Sequence, residues 1–250
     1  MSHAAVLVED GSGVRTLVLN RPEKRNALTG AMYTALADAL AGAAGDETIG
    51  AVVIQGEGGS FTAGNDLADF LATPALGADN PVMRFLRTLV TFPKPIVAAV
   101  EGHAVGIGTT LLMHCDLVYA APTAHFAMPF VSLGLVPEAG SSVLAARLMG
   151  HPRAAAMLML GEALTADAAE AAGLINAVVP TETLYAHAAA KAKALAAKPR
   201  NAMAQTKALM RHDTPQVLET IAKEAALFAQ ALSSPEARAA FQAFLSKSKG

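Results

Sequence analysis

With 250 residues, 53% of them hydrophobic and 16% charged, the chain can bury one sizeable core with a small appendage. A net charge of -2 and a pI near 6.4 leave no basic footprint for nucleic acid or for an anionic membrane. The single cysteine, Cys115, excludes an internal disulfide framework, and its apolar surroundings read as core, which fits a reducing cytoplasm.

In chain order, the first element is a strand-like Val6-Leu-Val-Glu9, with no secretion signal expected ahead of it. Further β-type runs at 14–19, 51–55, 96–100 and 116–119 alternate with helical stretches such as 29–44 and 141–149, an α/β pattern without a fixed repeat. The apolar run Thr109-Thr-Leu-Leu-Met-His-Cys115 reads as a buried helix. Thr165-Ala-Asp-Ala-Ala-Glu170 opens a helix that Gly173 is placed to close. After Pro180 the chain is almost wholly helical, and Pro199, Pro215 and Ser234-Pro235 mark new helix starts. No apolar stretch reaches the roughly 20 residues of a membrane span without Gly, Pro or charge. The closing Lys-Ser-Lys-Gly is not the peroxisomal tripeptide.

Two glycine loops suggest chemistry. In Phe61-Thr-Ala-Gly-Asn-Asp-Leu67, the small Ala63 and Gly64 let a ligand atom approach the main chain, which makes the Ala63 amide a candidate donor. In Gly102-His-Ala-Val-Gly-Ile-Gly108, amides near Ile107 would sit at a helix N-terminus that favours negative charge. Two such donors can hold an enolate oxygen; taken singly, each loop is equally an ordinary glycine turn.

The order of these segments resembles the enoyl-CoA hydratase/isomerase (crotonase) family. The resemblance is carried by Asn20-Arg-Pro-Glu-Lys-Arg-Asn-Ala-Leu28, the two glycine loops, Pro93-Lys-Pro-Ile-Val-Ala-Ala-Val-Glu-Gly102, Cys115-Asp-Leu-Val-Tyr-Ala120 and Leu133-Gly-Leu-Val-Pro-Glu-Ala-Gly140. It implies an α/β fold, a spiral of β-β-α units over residues 1–195 with a helical trimerisation segment at 196–250. Homotrimers or hexamers are then expected; read from residues alone, the tail is an amphipathic cap.

The two glutamates that activate water in the family's hydratases correspond here to Thr110 and Phe130, and neither can move a proton near neutral pH. One carboxylate remains, Glu138, with apolar neighbours that would raise its pKa. Its position resembles the catalytic glutamate of the 3-enoyl-CoA to 2-enoyl-CoA isomerases. The competing reading makes it an acid that stabilises the helix beginning near Ser141. The resemblance further implies that coenzyme A, as part of the substrate, lies near Lys24, Asn26, Ala27 and the segment Ala63, Gly64, Asn65, Asp66, Leu67, and that Phe244 and Lys247 reach a neighbouring subunit's nucleotide. Phe126, Met128, Phe130 and Leu135 are candidates for the acyl wall, although such a cluster is also ordinary core. Asp66 takes a supporting role. His103, His114 and His125 lack the spacing of a ligand set, so no metal is expected, and Gly106-x-Gly108 lacks the rest of a dinucleotide fingerprint. The expectation is an enoyl-CoA isomerase without separate cofactor; the alternatives are a hydratase, another crotonase-type lyase or hydrolase, and a non-catalytic acyl-CoA-binding protein.

Overall fold

The structure is a computed structural model that describes residues 4–72 and 80–247; for 70–72 and 244–247 only the backbone is described. Among the described residues, nine strands form two sheets. Strands β1 (Val6–Gly11), β2 (Val14–Leu19), β3 (Ala51–Gly56), β4 (Ile96–Val100), β6 (Leu117–Ala120) and β9 (Ala177–Val178) lie side by side in that order, and all pairs are parallel except the β1/β2 hairpin. A second sheet sets β5 (His103–Val105) beside β7 (His125–Ala127) and β8 (Leu164–Thr165). Two successive turns, β4–β5 and β6–β7, thus each contribute one strand to each sheet before a helix, as the spiral resemblance implies.

The central strands are apolar, save for Gln55 near the end of β3, because both faces are covered. Val52, Ile54, Ile96, Ala98 and Val100 face the main core, which holds α1 (Gly30–Gly45) and α3 (Pro81–Val90). Their alternates Ala51, Val53, Val97 and Ala99 face Leu184, Ala188 and Ala192 of α8 (Leu184–Ala196). The period of two along each strand therefore separates two apolar layers.

Other helices build the rest: α2 (Leu67–Ala72), α4 (Ile107–Thr110), α5 (Ser141–Met149), α6 (His151–Ala155), α7 (Ala166–Ala172), α9 (Arg200–Met210), α10 (Thr214–Leu232) and α11 (Pro235–Lys247). Local signals set their ends: Thr29 and Thr165 cap α1 and α7, Gly173 closes α7 in the left-handed conformation, and Ser234 Oγ accepts from the Ala237 amide at 3.1 Å. The expected helix over 109–115 divides into α4 and a tighter 3₁₀ turn, Leu111–His114.

The C-terminal helices pack on this chain's own core. A buried cluster clamps α9, with Lys207 Nζ 2.7 Å from both Asp116 Oδ2 and the Lys94 carbonyl. Helix α10 turns Val217, Ile221, Glu224, Ala225 and Phe228 inward at helical spacing, the pattern of an amphipathic face. Among the described residues no helix is long and apolar enough to cross a membrane.

Candidate active site

The two glycine loops are laced together. Phe61 N–H donates to the Glu101 carbonyl at 2.7 Å, Thr62 N–H to His103 O at 2.8 Å, and Val105 N–H back to Thr62 O at 3.1 Å. Glycine is required where the loops touch: a Cβ on Gly108 would lie 2.6 Å from Thr62 Cγ2, and one on Gly64, whose φ is +93°, would lie 2.9 Å from the Val105 carbonyl oxygen. The loops meet at a cavity of about 400 Å³, lined among others by Gly64, Asn65, Gly106 and Ile107.

A main-chain amide can hold an oxyanion only when it is not already engaged. That condition corrects one expectation. The Ala63 N–H donates to the Arg25 carbonyl at 2.9 Å, so this amide is spent inside the protein. Gly64 N–H goes to Thr62 Oγ1 at 3.1 Å, and Gly106 N–H to the Ala127 carbonyl at 2.8 Å. Among the described residues, the amides of Asn65 and Ile107 have no protein acceptor, and both residues line the cavity. Ile107 occupies the position expected of it, the first residue of α4.

Glu138 faces a smaller pocket of about 20 Å³, which it shares with Asn65, Val82, Met83, Ile221 and Phe228. Asn65 and Phe228 line both spaces. A turn aims the carboxyl: Ala139 and Gly140 have φ of +59° and +76°, and the buried His114 Nε2–H donates to the Ala139 carbonyl at 2.7 Å. Burial drives the His114 pKa down to about 4, so the ring is neutral and serves as this single donor.

Desolvation is also the main influence on Glu138, pushing its carboxyl up to about 7. The Thr110 hydroxyl, donating to Oε1 at 2.6 Å, opposes that rise, and the charge of Glu224 adds to it. The competing helix-end role belongs to Glu224, not Glu138. From α10, Glu224 accepts from Gly140 N at 2.6 Å, Ser142 N at 3.0 Å and Ser142 Oγ at 2.5 Å, at the N-terminus of α5.

Asp66 lies at the large cavity but is otherwise occupied. It pairs with Arg21 at 3.1 Å and accepts from the Ala68 and Asp69 amides at 3.2 and 3.3 Å. Burial would raise its pKa, but the Asp69 amide and the Arg21 guanidinium outweigh burial and hold it below the usual carboxylate value. Such a group stays ionised and suits loop fixation better than proton transfer.

Lys24, Ala27, Leu67 and Phe130 also line the large cavity. Asn26 does not, and its expected ligand role is corrected. Its buried carboxamide accepts from Arg21 N and donates to Glu57 O and Ser60 O, its own N–H goes to Arg21 O, and its carbonyl accepts from Thr62 Oγ1. Of the acyl-wall candidates, Phe130 and Leu135 reach the cavity while Phe126 and Met128 are wholly buried core. The side chains of Phe244 and Lys247 lie outside the described residues. Phe228 and Phe241, from the C-terminal helices, line the cavity without having been singled out from sequence. Their signal was only the apolar stripe of each helix.

Residues 9–250 match the family model described as enoyl-CoA hydratase/isomerase. The chain belongs to the enoyl-CoA hydratase/isomerase family. Enoyl-CoA delta isomerase 2 of Rattus norvegicus is 39% identical over 88% of the chain, which spans 57% of that relative's length. The 2,3-dehydroadipyl-CoA hydratase of Escherichia coli is 33% identical over 97% of the chain and 96% of its own length. Among solved structures, Pseudomonas aeruginosa OdaA superposes with a TM-score of 0.94 at 44% identity, covering 97% of this chain and 99% of that one. The fold is accordingly of the crotonase type. Relatives named as isomerases and relatives named as hydratases lie at comparable identity, so what separates the two chemistries in this enoyl-CoA hydratase/isomerase site is its carboxylates.

Proposed function

We propose that the protein is an acyl-CoA enzyme of the crotonase type that moves the double bond of a 3-enoyl-CoA thioester to the 2-position. The thioester oxygen would lie between the free amides of Asn65 and Ile107. Glu138 removes a proton from C2, the electron pair delocalises into a dienolate held by the two amides, and the Glu138 carboxylic acid returns the proton at C4. Bonds and electrons balance without a redox partner, so no separate cofactor is needed; coenzyme A is carried by the substrate.

The observation that carries this reading is the placement of the Glu138 carboxyl, in the pocket it shares with Asn65 and held by the Thr110 hydroxyl, with burial pushing its pKa up. A proton shuttle must be both a competent base and a competent acid, and a pKa of about 7 populates both forms at working pH. Hydration asks for a second group to hold and split water. The two positions where the family's hydratases have carboxylates are here Thr110, which donates to Glu138, and Phe130, an apolar wall. Lys24, Ala27 and Leu67 at the cavity are consistent with coenzyme A lying along the first loop, and the family resemblance makes a homotrimer or hexamer the expected assembly.

The test offers 3-enoyl-CoA and 2-enoyl-CoA to the purified protein in parallel, following double-bond migration and water addition separately. Isomerisation far faster than hydration is expected. Robust hydration without isomerisation would overturn the reading.

A further inference from the structure

Tyr33 is a polar side chain for which the scheme above has no use. It lies on the buried face of α1, 1% exposed, with its ring 5.5 Å from that of Phe85. Its hydroxyl donates to Asn65 Oδ1. A phenol in an apolar setting needs a partner, but a backbone carbonyl of α1 would meet that need as well, and a Phe in its place would have no such need. The partner here is the side chain of the residue whose main-chain amide has no protein acceptor and which lines both spaces of the site.

A carboxamide is planar, so fixing its oxygen fixes where its two N–H bonds point. Asn65 Nδ2 has no acceptor among the described residues and is not among the buried, unsatisfied atoms, so it keeps some exposure, and Asn65 lines both the pocket it shares with Glu138 and the large cavity. The hydroxyl also stays a donor through the cycle. Burial, and next the charge of Glu138, raise the Tyr33 pKa well above its ordinary value, so ionised Glu138 cannot draw the phenolic proton.

We propose that Tyr33 is a positioning residue: through its hydrogen bond to Asn65 Oδ1 it holds the Asn65 backbone amide on the thioester oxygen and turns the Asn65 side-chain N–H bonds toward the dienolate. The inference rests on the isomerase reading for its substrate, yet it can be read out without turnover.

Tyr33→Phe, Asn65→Ala and the double variant are each assayed in two ways. The first is kcat and KM with a 3-enoyl-CoA. The second is the fraction of bound acetoacetyl-CoA present as enolate, followed by its ultraviolet absorbance, which reports oxyanion stabilisation alone. Tyr33→Phe should lower kcat about 5- to 20-fold with KM nearly unchanged, and should lower the enolate fraction. In the Asn65→Ala background it should have no further effect on either quantity, because Tyr33 acts only through Asn65. A purely structural Tyr33 would shift the melting temperature and leave both readouts in place. Unchanged kcat and enolate fraction in Tyr33→Phe, or effects of the two substitutions that multiply, would overturn the proposal, as would a wild-type protein that stabilises no enolate. A wild type that binds the enolate but fails to isomerise would sink the isomerase reading instead, leaving the positioning role to be judged on the enolate.

Discussion

Replacing Thr110 by valine removes one hydroxyl from a buried side chain and conserves its shape. That hydroxyl donates to Glu138 Oε1 at 2.6 Å and is the one influence acting to lower a pKa that otherwise rests on burial. A hydrogen bond to a charged group is worth about 1.5–3 kcal/mol net, and 1.36 kcal/mol corresponds to one pKa unit, so its loss should raise the Glu138 pKa by about 1–2 units. The base must be ionised in the free enzyme, so the acidic limb of kcat/KM should move up by the same amount. With the carboxyl near 7, roughly half is ionised at pH 7; after the shift about 1–10% is, a fall of about 5- to 50-fold in kcat/KM that fades as the pH approaches 9. The assay is the pH dependence of 3-enoyl-CoA isomerisation from about pH 6 to about pH 9.5. An acidic limb that stays in place, or a loss of the same size at every pH, would refute the reasoning.

Two further substitutions follow from the same electrostatics. Glu138→Gln should be more stable than the wild type at high pH: the folded carboxyl titrates at about 7 and its ordinary value is 4.5, so stability is lost as the pH rises through that interval, by at most about 3 kcal/mol, and the glutamine escapes the loss. The difference in melting temperature should grow between pH 4.5 and 7 and vanish below it; a difference independent of pH would contradict the burial argument. Glu224→Gln removes the charge that raises Glu138 and weakens three hydrogen bonds at the start of α5. It should move the acidic limb downward and lower stability by about 1–2 kcal/mol, as a pH–rate profile and thermal melts would show.

What the sequence made legible, and what it did not, follows the reach of the forces involved. Strands at 14–19 and 96–100 and the helix at 141–149 stand where composition puts them, because apolar runs, capping residues and prolines act locally. Ile107 was legible for the same reason: a glycine loop entering a helix leaves its first amide free. Ala63 was misread because smallness in a loop says nothing about whether a distant carbonyl, here that of Arg25, has already taken the amide. Asn26 failed likewise, its polar atoms all spent on Arg21, Glu57, Ser60 and Thr62. Thr110, first noticed as a missing carboxylate, proves to be the hydrogen-bond donor to the one that remains. That Glu224 caps α5, and so frees Glu138 from that duty, depends on a helix arriving from far along the chain.

The central claim is that Glu138 alone carries the proton. The measurement that tests it most directly is the single-turnover rate of Glu138→Gln on a 3-enoyl-CoA, taken together with its affinity for the thioester. The amide keeps the shape of the carboxyl but can neither accept nor return a proton, so the rate should fall by about 10²- to 10⁴-fold while binding stays nearly intact. A near-normal rate in the folded variant would contradict the assignment.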